Sequence, residues 1–143
     1  DLGARTYAPV DAADGLSARP KVAAPIYPVI SMHRPEAHEG SRRNLIGETA
    51  SPAMERRHSP HENVMPDSPP CFLVHAEDDP AVPIANSLLL RDAWRAKGLP
   101  VESHFFTEGG HGFGLRRAAG KPAAIWPELF YHWAAAQGLF ARA

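Results

Sequence analysis

Apolar residues in the second half of the chain fall into short uninterrupted runs and one amphipathic stretch. The run at 71–76 and the β-rich segment at 101–107 are each predicted to be a strand. Between them, apolar positions recur at helical spacing from 83 to 97, which predicts a helix. A last helix is predicted from about Pro127 to a stop at Gly138. The second half therefore alternates strand and helix.

The first half carries weaker patterns. Residues 1–20 are polar and turn-rich, with one short helical turn expected at 11–17. The following run, 22–30, is mostly apolar without alternation, which is typical of a strand buried on both faces of a parallel sheet. It contains prolines, which weaken a strand because proline has no N–H to donate to a neighbour. We expect a further strand here, ahead of the other two.

A histidine-, arginine- and proline-rich segment follows at 31–70. Two short helices are expected in it. Ser41 is expected to cap a helix over 42–46, and the pair Ser51-Pro52 to open a helix over 53–57. Such an excursion beside a sheet is where binding surfaces are commonly built.

Strands that alternate with helices predict an α/β fold with a parallel sheet and right-handed crossovers. The whole chain, 1–143, is expected to form one domain. In such a sheet the chemistry is carried by loops at the carboxyl ends of the strands. The acidic loop at 77–80 and the glycine-rich loop at 109–114 both leave from that end, so we expect them to face one crevice.

Composition narrows the function classes. The chain has 143 residues, 44% of them hydrophobic, and 15 basic against 16 acidic side chains give a net charge of −1. Basic residues occur in short groups, so a nucleic acid partner is not expected. Cys71 is the single cysteine, which excludes an internal disulfide and a cysteine-based metal site in this chain. The apolar runs are shorter than the ~20 residues of a membrane helix, and no targeting segment is recognisable, so we expect a soluble protein of unassigned compartment.

Asp79 and His111 are the candidate catalytic pair. A histidine that acts as general base in acyl transfer needs a carboxylate that fixes its tautomer and stabilises its charged form. Glycines on both sides of His111 allow a tight turn and a close approach to a ligand. Asp78 is the alternative acid, because composition does not separate adjacent carboxylates. His75 is expected to pack at the end of its strand or to hydrogen-bond to the loop, and not to act in catalysis.

The acidic loop, 75–83, resembles the acid loop of α/β-hydrolases, written His-Gly-x-x-Asp-x-x-Val-Pro, with Ala76 where glycine is commoner. The segment 109–113 resembles the histidine loop of the same family. Similarity to the branch of acetyl-xylan-esterase-like and bacterial carbohydrate-esterase-like enzymes extends to three further segments, 27–32, 41–47 and 68–72. The resemblance therefore covers nearly the whole chain.

The resemblance implies the C-terminal half of an α/β-hydrolase, with Asp79 as the triad acid and His111 as the triad base. It implies a serine esterase for short acyl esters, such as acetylated sugars, that needs no metal or organic cofactor. A peptidase of the prolyl-oligopeptidase type shares both loops and remains an alternative. A non-catalytic module of the same fold that binds a partner or a small ligand is the other alternative, since fold does not fix function.

No serine nucleophile is identified in the chain. The family places it in a Gly-x-Ser-x-Gly elbow ahead of the acid, and the sequence has no such match. Ser17 lacks the second glycine, Ser31 has no flanking glycines, and Cys71 begins a strand instead of ending one. A His-Gly-Gly oxyanion segment is also absent. We expect both parts upstream of Asp1, in a missing N-terminal half of the same domain, and we expect the chain alone to be inactive.

Metal binding is the rival hypothesis, because the chain has eight histidines. His58 and His61, with His33 and His38 nearby in the sequence, are the candidate ligands. Pro60 breaks any helix between the first two, so helical spacing does not point their rings the same way. We therefore favour the hydrolase.

Overall fold

The computed structural model describes residues 7–140. Within them the strands are β1 (Cys71–Ala76) and β2 (Val101–Phe106), and the α-helices are α1 (Glu39–Ile46), α2 (Pro52–Arg57), α3 (Ala85–Ala96) and α4 (Trp126–Ala136). Short 3₁₀ turns lie at Ala12–Gly15, Pro60–Asn63 and Pro122–Ile125. The first of these confirms the turn expected at 11–17, whereas the start of the turn-rich segment, 1–6, lies outside the described residues. No helix within the described range has the length and apolarity that a bilayer crossing requires.

β1 is the inner strand, and each of its side chains is buried. It pairs in parallel with β2, with Cys71 opposite Val101 and Ala76 opposite Phe106. An uninterrupted apolar run predicts such a strand, because helices cover both of its faces. The parallel pair, joined through α3, confirms the predicted α/β class in which strands alternate with helices. Both strands therefore end at the same edge of the sheet.

Two buried clusters cover the two faces of β1. The cluster on the α4 side contains Phe72, Val74, Ala76, Phe113 and Trp133. The cluster on the α3 side contains Cys71, Leu73, Ile30, Leu90 and Trp94. Alternate side chains of one strand thus enter opposite layers, and burial of these groups supplies the main favourable term in folding. Phe113 belongs to the glycine-rich loop, so this loop is packed into the first cluster.

Segment 22–30 does not form the regular strand predicted for it. It runs parallel to β1 and makes two isolated bridges to it, Ala23 with Cys71 and Ile26 with Val74. The N–H groups of Ala23 and Tyr27 donate to β1 or to the residue just before it. Pro25 lies between these donors and has no N–H, so the ladder is interrupted there. Tyr27 then leaves the extended conformation with a φ of 41°.

The helix near Ser41 begins earlier than predicted. α1 starts at Glu39, and its N-cap is His38, whose Nδ1 accepts a hydrogen bond from the N–H of Ser41 at 3.3 Å. Histidine is not among the preferred capping residues, which is why the sequence pattern indicated serine. The cap that Ser51 makes for α2 is confirmed. α3 and α4 agree with the prediction to within about two residues at each end, the usual uncertainty of helix boundaries.

Asn86 anchors the segment that follows the apolar run. It is fully buried in the first turn of α3. Its Oδ1 accepts hydrogen bonds from the N–H groups of Ile30 and Ser31 at 2.8 and 2.9 Å, and its Nδ2 donates to the carbonyl of Glu36 at 2.8 Å. Buried polar groups that lack such partners would destabilise the fold. The contacts place this segment beside the start of α3.

Candidate functional site

The acidic loop begins where β1 ends and holds Asp79 in one orientation. The N–H groups of Ala81 and Val82 each donate to Oδ1 of Asp79 at 2.9 Å. The Asp79 side chain is fully buried, 0% exposed. Burial by itself would raise the pKa of this carboxyl, but the hydrogen bonds from the Val82 N–H and from His111 outweigh it, so the pKa lies below its ordinary value. Asp79 is therefore a buried carboxylate that is ionised at neutral pH.

The glycine-rich loop follows β2 and lies against the end of β1. A Cβ at Gly109 would lie 2.9 Å from the Cβ of Ala76, so glycine is required for the two loops to approach this closely. Oδ1 of Asp78 accepts hydrogen bonds from the N–H groups of Gly109 and Gly110 at 2.8 and 2.7 Å. These bonds lower the pKa of Asp78, the one from Gly110 most strongly. Asp78 therefore fastens the glycine-rich loop to the acidic loop.

The two residues of the predicted pair, Asp79 and His111, lie in contact. Nδ1 of His111 is 2.8 Å from Oδ2 of Asp79. A carboxylate only accepts hydrogen bonds, so Nδ1 carries the proton and Nε2 has a free lone pair. The His111 side chain is 37% exposed, and its Nε2 makes no hydrogen bond to any residue in the range 7–140. An accessible imidazole oriented in this way has the geometry of a general base, and its catalytic role stays a prediction.

His75 contacts Asp79 from the buried side. Its Nε2 lies 3.1 Å from Oδ2 of Asp79 and 3.1 Å from the carbonyl oxygen of Val82. Its Nδ1 lies 2.7 Å from Oγ of Ser87, in the first turn of α3. The ring is fully buried, and this burial lowers its pKa, so the imidazole is neutral. The expectation that His75 hydrogen-bonds to the loop is confirmed.

Tyr27 is a neighbour of His111 that the sequence patterns do not indicate. Their ring centroids are 5.1 Å apart in an edge-to-face arrangement, and the Tyr27 ring makes a similar contact with Phe113 at 4.9 Å. A positive φ is costly for a residue other than glycine, and such residues cluster at functional sites. The contact between the Tyr27 and His111 rings depends on this backbone turn. The regular strand predicted over 22–30 has no such turn.

Within residues 7–140, neither the alternative acid nor any of the three side chains considered as nucleophiles hydrogen-bonds to His111. Asp78 binds backbone N–H groups and makes no hydrogen bond to His111. Ser31 is 1% exposed. Cys71 is fully buried at the start of β1, where burial raises its pKa to about 12. Ser17 is exposed and accepts a hydrogen bond from a backbone N–H two residues further on. None of these side chains is placed to exchange a proton with the imidazole.

Two of the histidines considered as metal ligands, His33 and His38, are held in other contacts. His38 caps α1, His58 follows the last residue of α2, and His33 lies between two carboxylates. The rings of His33 and His61 are 6.5 Å apart. In the part of the chain that the structure describes, no group of three or more His, Cys, Asp or Glu side chains is arranged to hold a metal ion.

Comparison with known sequences finds relatives over most of the chain. The sequence profile of the prolyl oligopeptidase family matches residues 21–137. An endo-1,4-beta-xylanase B of Butyrivibrio fibrisolvens is 35% identical over 97 residues, which cover 68% of this chain and 15% of the xylanase. Both acid and base candidates lie within the matched range of the profile.

Solved structures match over the same region. An acetyl ester-xyloside bifunctional hydrolase from Caldicellulosiruptor lactoaceticus has a TM-score of 0.88 and 36% identity, over 99% of this chain and 50% of that protein. A carboxylesterase from Lactobacillus plantarum has a TM-score of 0.68 and 30% identity, over 86% of this chain and 46% of that protein. The chain therefore spans about half the length of these two structures.

Proposed function

Because the chain belongs to the prolyl oligopeptidase family of α/β-hydrolases, we propose that Asp79 and His111 are the acid and the base of a Ser-His-Asp triad. The family match and the structural relatives confirm the predicted fold class, part of an α/β-hydrolase fold. The observation that carries the proposal is the 2.8 Å contact between Nδ1 of His111 and Oδ2 of the buried Asp79. It leaves Nε2 of His111 free to accept a proton from a nucleophile.

In this mechanism the proton transfers run through Nε2 of His111. Nε2 takes the proton of a serine hydroxyl while the serine oxygen attacks the ester carbonyl carbon, and Asp79 stabilises the imidazolium that forms. The imidazolium then gives its proton to the leaving alcohol, and the acyl group stays on the serine. A water molecule, deprotonated by the same nitrogen, attacks the acyl carbon. The bond to the serine oxygen then breaks, the imidazolium returns its proton to that oxygen, and the carboxylic acid is released.

The serine and the oxyanion hole belong, in this proposal, to a part of the fold outside residues 1–143. The chain contains no Gly-x-Ser-x-Gly elbow. It also spans about half the length of the related structures. The chain would then be one incomplete domain that supplies two members of the triad, and hydrolysis would require the remaining part.

Short acyl esters, such as acetylated sugars, are the proposed substrate class. One structural relative is named for hydrolysis of acetyl esters and xylosides, and another is a carboxylesterase. A surface cavity of about 730 Å³ is lined by residues 112–117, which directly follow His111 in the chain. His111 itself does not line this cavity, so the substrate class rests on the structural relatives.

The test uses the complete protein that contains this chain, with p-nitrophenyl acetate as substrate. His111→Ala removes the base and is expected to lower kcat about 1000-fold or more. His132→Ala is the matched control, because His132 is 72% exposed on α4 and its loss should leave kcat unchanged. Full activity of the His111 variant would contradict the triad. An unaltered protein that hydrolyses neither this ester nor a peptide substrate would instead favour the binding module.

A serine peptidase is the alternative activity, because the family that matches the chain is described as prolyl oligopeptidases. Both reactions would use the same acid and base. The two are separated by comparing kcat/KM for p-nitrophenyl acetate with kcat/KM for a short peptide that ends in proline-p-nitroanilide. We expect the ester to be preferred, and a preference for the anilide would assign the peptidase.

A further inference from the structure

Two imidazoles share one carboxylate oxygen in this site. Nε2 of His75 lies 3.1 Å from Oδ2 of Asp79, and Nδ1 of His111 lies 2.8 Å from the same atom. We propose that His75 is a positioning residue of the triad, whose N–H holds Oδ2 of Asp79 in line with His111. This inference rests on the proposed function of Asp79 and His111. It assigns a role to His75, the side chain that contacts Asp79 from the buried side.

The partners of His75 fix its tautomer. Its Nε2 faces two acceptors, Oδ2 of Asp79 and the carbonyl oxygen of Val82, so Nε2 carries the proton. Its Nδ1 therefore accepts the hydrogen of the Ser87 hydroxyl. The imidazole and this hydroxyl are both fully buried, so no water competes for these positions. Ser87 orients His75, and His75 in turn orients Asp79.

With His75 in place, both oxygens of Asp79 have two donors each. The N–H groups of Ala81 and Val82 bond to Oδ1, and the two imidazoles bond to Oδ2. A carboxylate offers about four acceptor positions, so this carboxylate is saturated. Rotation of the carboxylate would break several of these bonds at once. The plane of Asp79, and with it the direction of the bond to His111, is therefore fixed.

His75 also competes with His111 for the negative charge on Oδ2. If the His75 N–H is removed, more of that charge is directed at His111, and the imidazolium form of His111 gains stability. A side chain that only fills space would not change the titration of His111. The other titratable side chains near the pair are Tyr27, Asp78 and Lys121, whose Nζ donates to the carbonyl of Gly109, and they are left unaltered in the experiment below.

Two substitutions separate the N–H donor from the rest of the side chain. In His75→Gln the amide nitrogen replaces Nε2 and still donates toward Asp79, whereas in His75→Asn the shorter amide reaches only toward Ser87. In the complete protein, His75→Asn is expected to lower kcat for p-nitrophenyl acetate about tenfold, at unchanged KM. It is also expected to move the acidic limb of the kcat/KM profile to higher pH. His75→Gln is expected to restore most of kcat and the original profile.

Equal kcat and equal pH profiles in the wild type and in His75→Asn would overturn the proposal. Equal losses in the Asn and Gln variants, with an unmoved acidic limb, would overturn it too, because the ring would then serve packing alone. Circular dichroism and thermal unfolding report whether each variant folds. If His75→Asn does not fold, Ser87→Ala replaces it, because this variant keeps the ring and removes the hydroxyl that orients it. Ser87→Ala is expected to move the limb in the same direction, and a wild-type profile would overturn the proposal.

An NMR titration of the His111 ring separates this inference from the proposed function. The midpoint of the His111 Cε1–H signal is expected to rise in His75→Asn and to stay in place in His75→Gln. The measurement needs a folded protein and no turnover. A moved midpoint in a protein that hydrolyses neither p-nitrophenyl acetate nor the proline anilide would support the contact between His75 and Asp79 and contradict the triad. An active protein in which the His111 midpoint is the same in all variants would support the triad and contradict the positioning role of His75.

Discussion

The two loops at the carboxyl end of the sheet hold their functional side chains in opposite ways. Asp79 is fully buried, and two of its donors are N–H groups of its own turn. His111 is 37% exposed and lies between two glycines with positive φ, so its own loop fixes it less. Its loop is held by contacts with other segments, namely Asp78 and Tyr27. The comparison indicates a rigid acid onto which a more accessible base is aligned.

The largest effect on kcat is expected when Asp79, the more rigidly held residue of the pair, loses its charge. Asp79→Asn removes the carboxylate that fixes the His111 tautomer, so kcat for p-nitrophenyl acetate is expected to fall about 10,000-fold in the complete protein. Asp92→Asn is the control, because Asp92 is an exposed carboxylate on α3, 64% exposed, and its loss should leave kcat unchanged. If the Asp79 variant kept kcat within a factor of about ten, Asp79 would not be the acid.

The next prediction concerns the close approach of the acidic loop and the glycine-rich loop. A methyl group at Gly109 would lie 2.9 Å from Cβ of Ala76 and 3.1 Å from the ring of Phe113. Gly109→Ala is therefore expected to lower the free energy of unfolding, measured in urea, by about 1–3 kcal/mol. The double variant Ala76→Gly/Gly109→Ala removes the nearest clash and should recover part of this loss. Losses that simply add would show that the contact does not couple the loops.

The contact between Asp78 and the histidine loop gives a smaller effect on turnover. Asp78→Ala leaves the N–H groups of Gly109 and Gly110 without their acceptor, so His111 is held less firmly, and kcat is expected to fall about tenfold. Asp78→Asn keeps an acceptor oxygen in the same place and should retain most of the activity. The same loss in both variants would mean that the charge matters and the hydrogen bonds do not.

The same contact makes the fold sensitive to acid. The N–H of Gly110, and less strongly that of Gly109, lower the pKa of Asp78 in the folded protein. A carboxyl whose folded pKa is lowered adds stability above its unfolded pKa, near 4, and loses it as the pH falls through the folded pKa. Between pH 6 and pH 3, the Tm of the wild type should therefore fall more steeply than that of Asp78→Asn. A steeper fall in the variant would contradict the contact.

The parts of the site that follow from strand order could be predicted from the sequence. β1 is a continuous apolar run, and parallel strands end at one edge, so the meeting of the loops that carry Asp79 and His111 was expected. The hydrogen bonds of Asp78 were not, because their donors are backbone N–H groups 31 and 32 residues away and carry no sequence signature. The contact between His75 and Asp79 also depends on side-chain directions within a tight turn, which composition does not contain.

The error over 22–30 has a specific cause. The run is apolar enough for a buried strand, but Pro25 removes one donor from the ladder, and the backbone of Tyr27 turns to a positive φ. Hydrophobic pattern reports burial and not the continuity of hydrogen bonds. The turn that ends the run also brings the Tyr27 ring to His111. The interrupted strand and the contact between Tyr27 and His111, which the sequence did not predict, therefore have the same cause.

The smallest expected effect tests how the accessible base is aligned. The Tyr27 ring lies edge-to-face with the imidazole of His111 at 5.1 Å, and within residues 7–140 its hydroxyl makes no hydrogen bond. Tyr27→Phe keeps the ring and should leave kcat within about twofold of the wild type, whereas Tyr27→Leu removes the aromatic contact and should lower kcat about fivefold. Thermal unfolding of both variants separates this effect from a loss of stability. If Phe lowered kcat as much as Leu, the hydroxyl would be the group that matters, and the base would be aligned by a polar contact as the acid is.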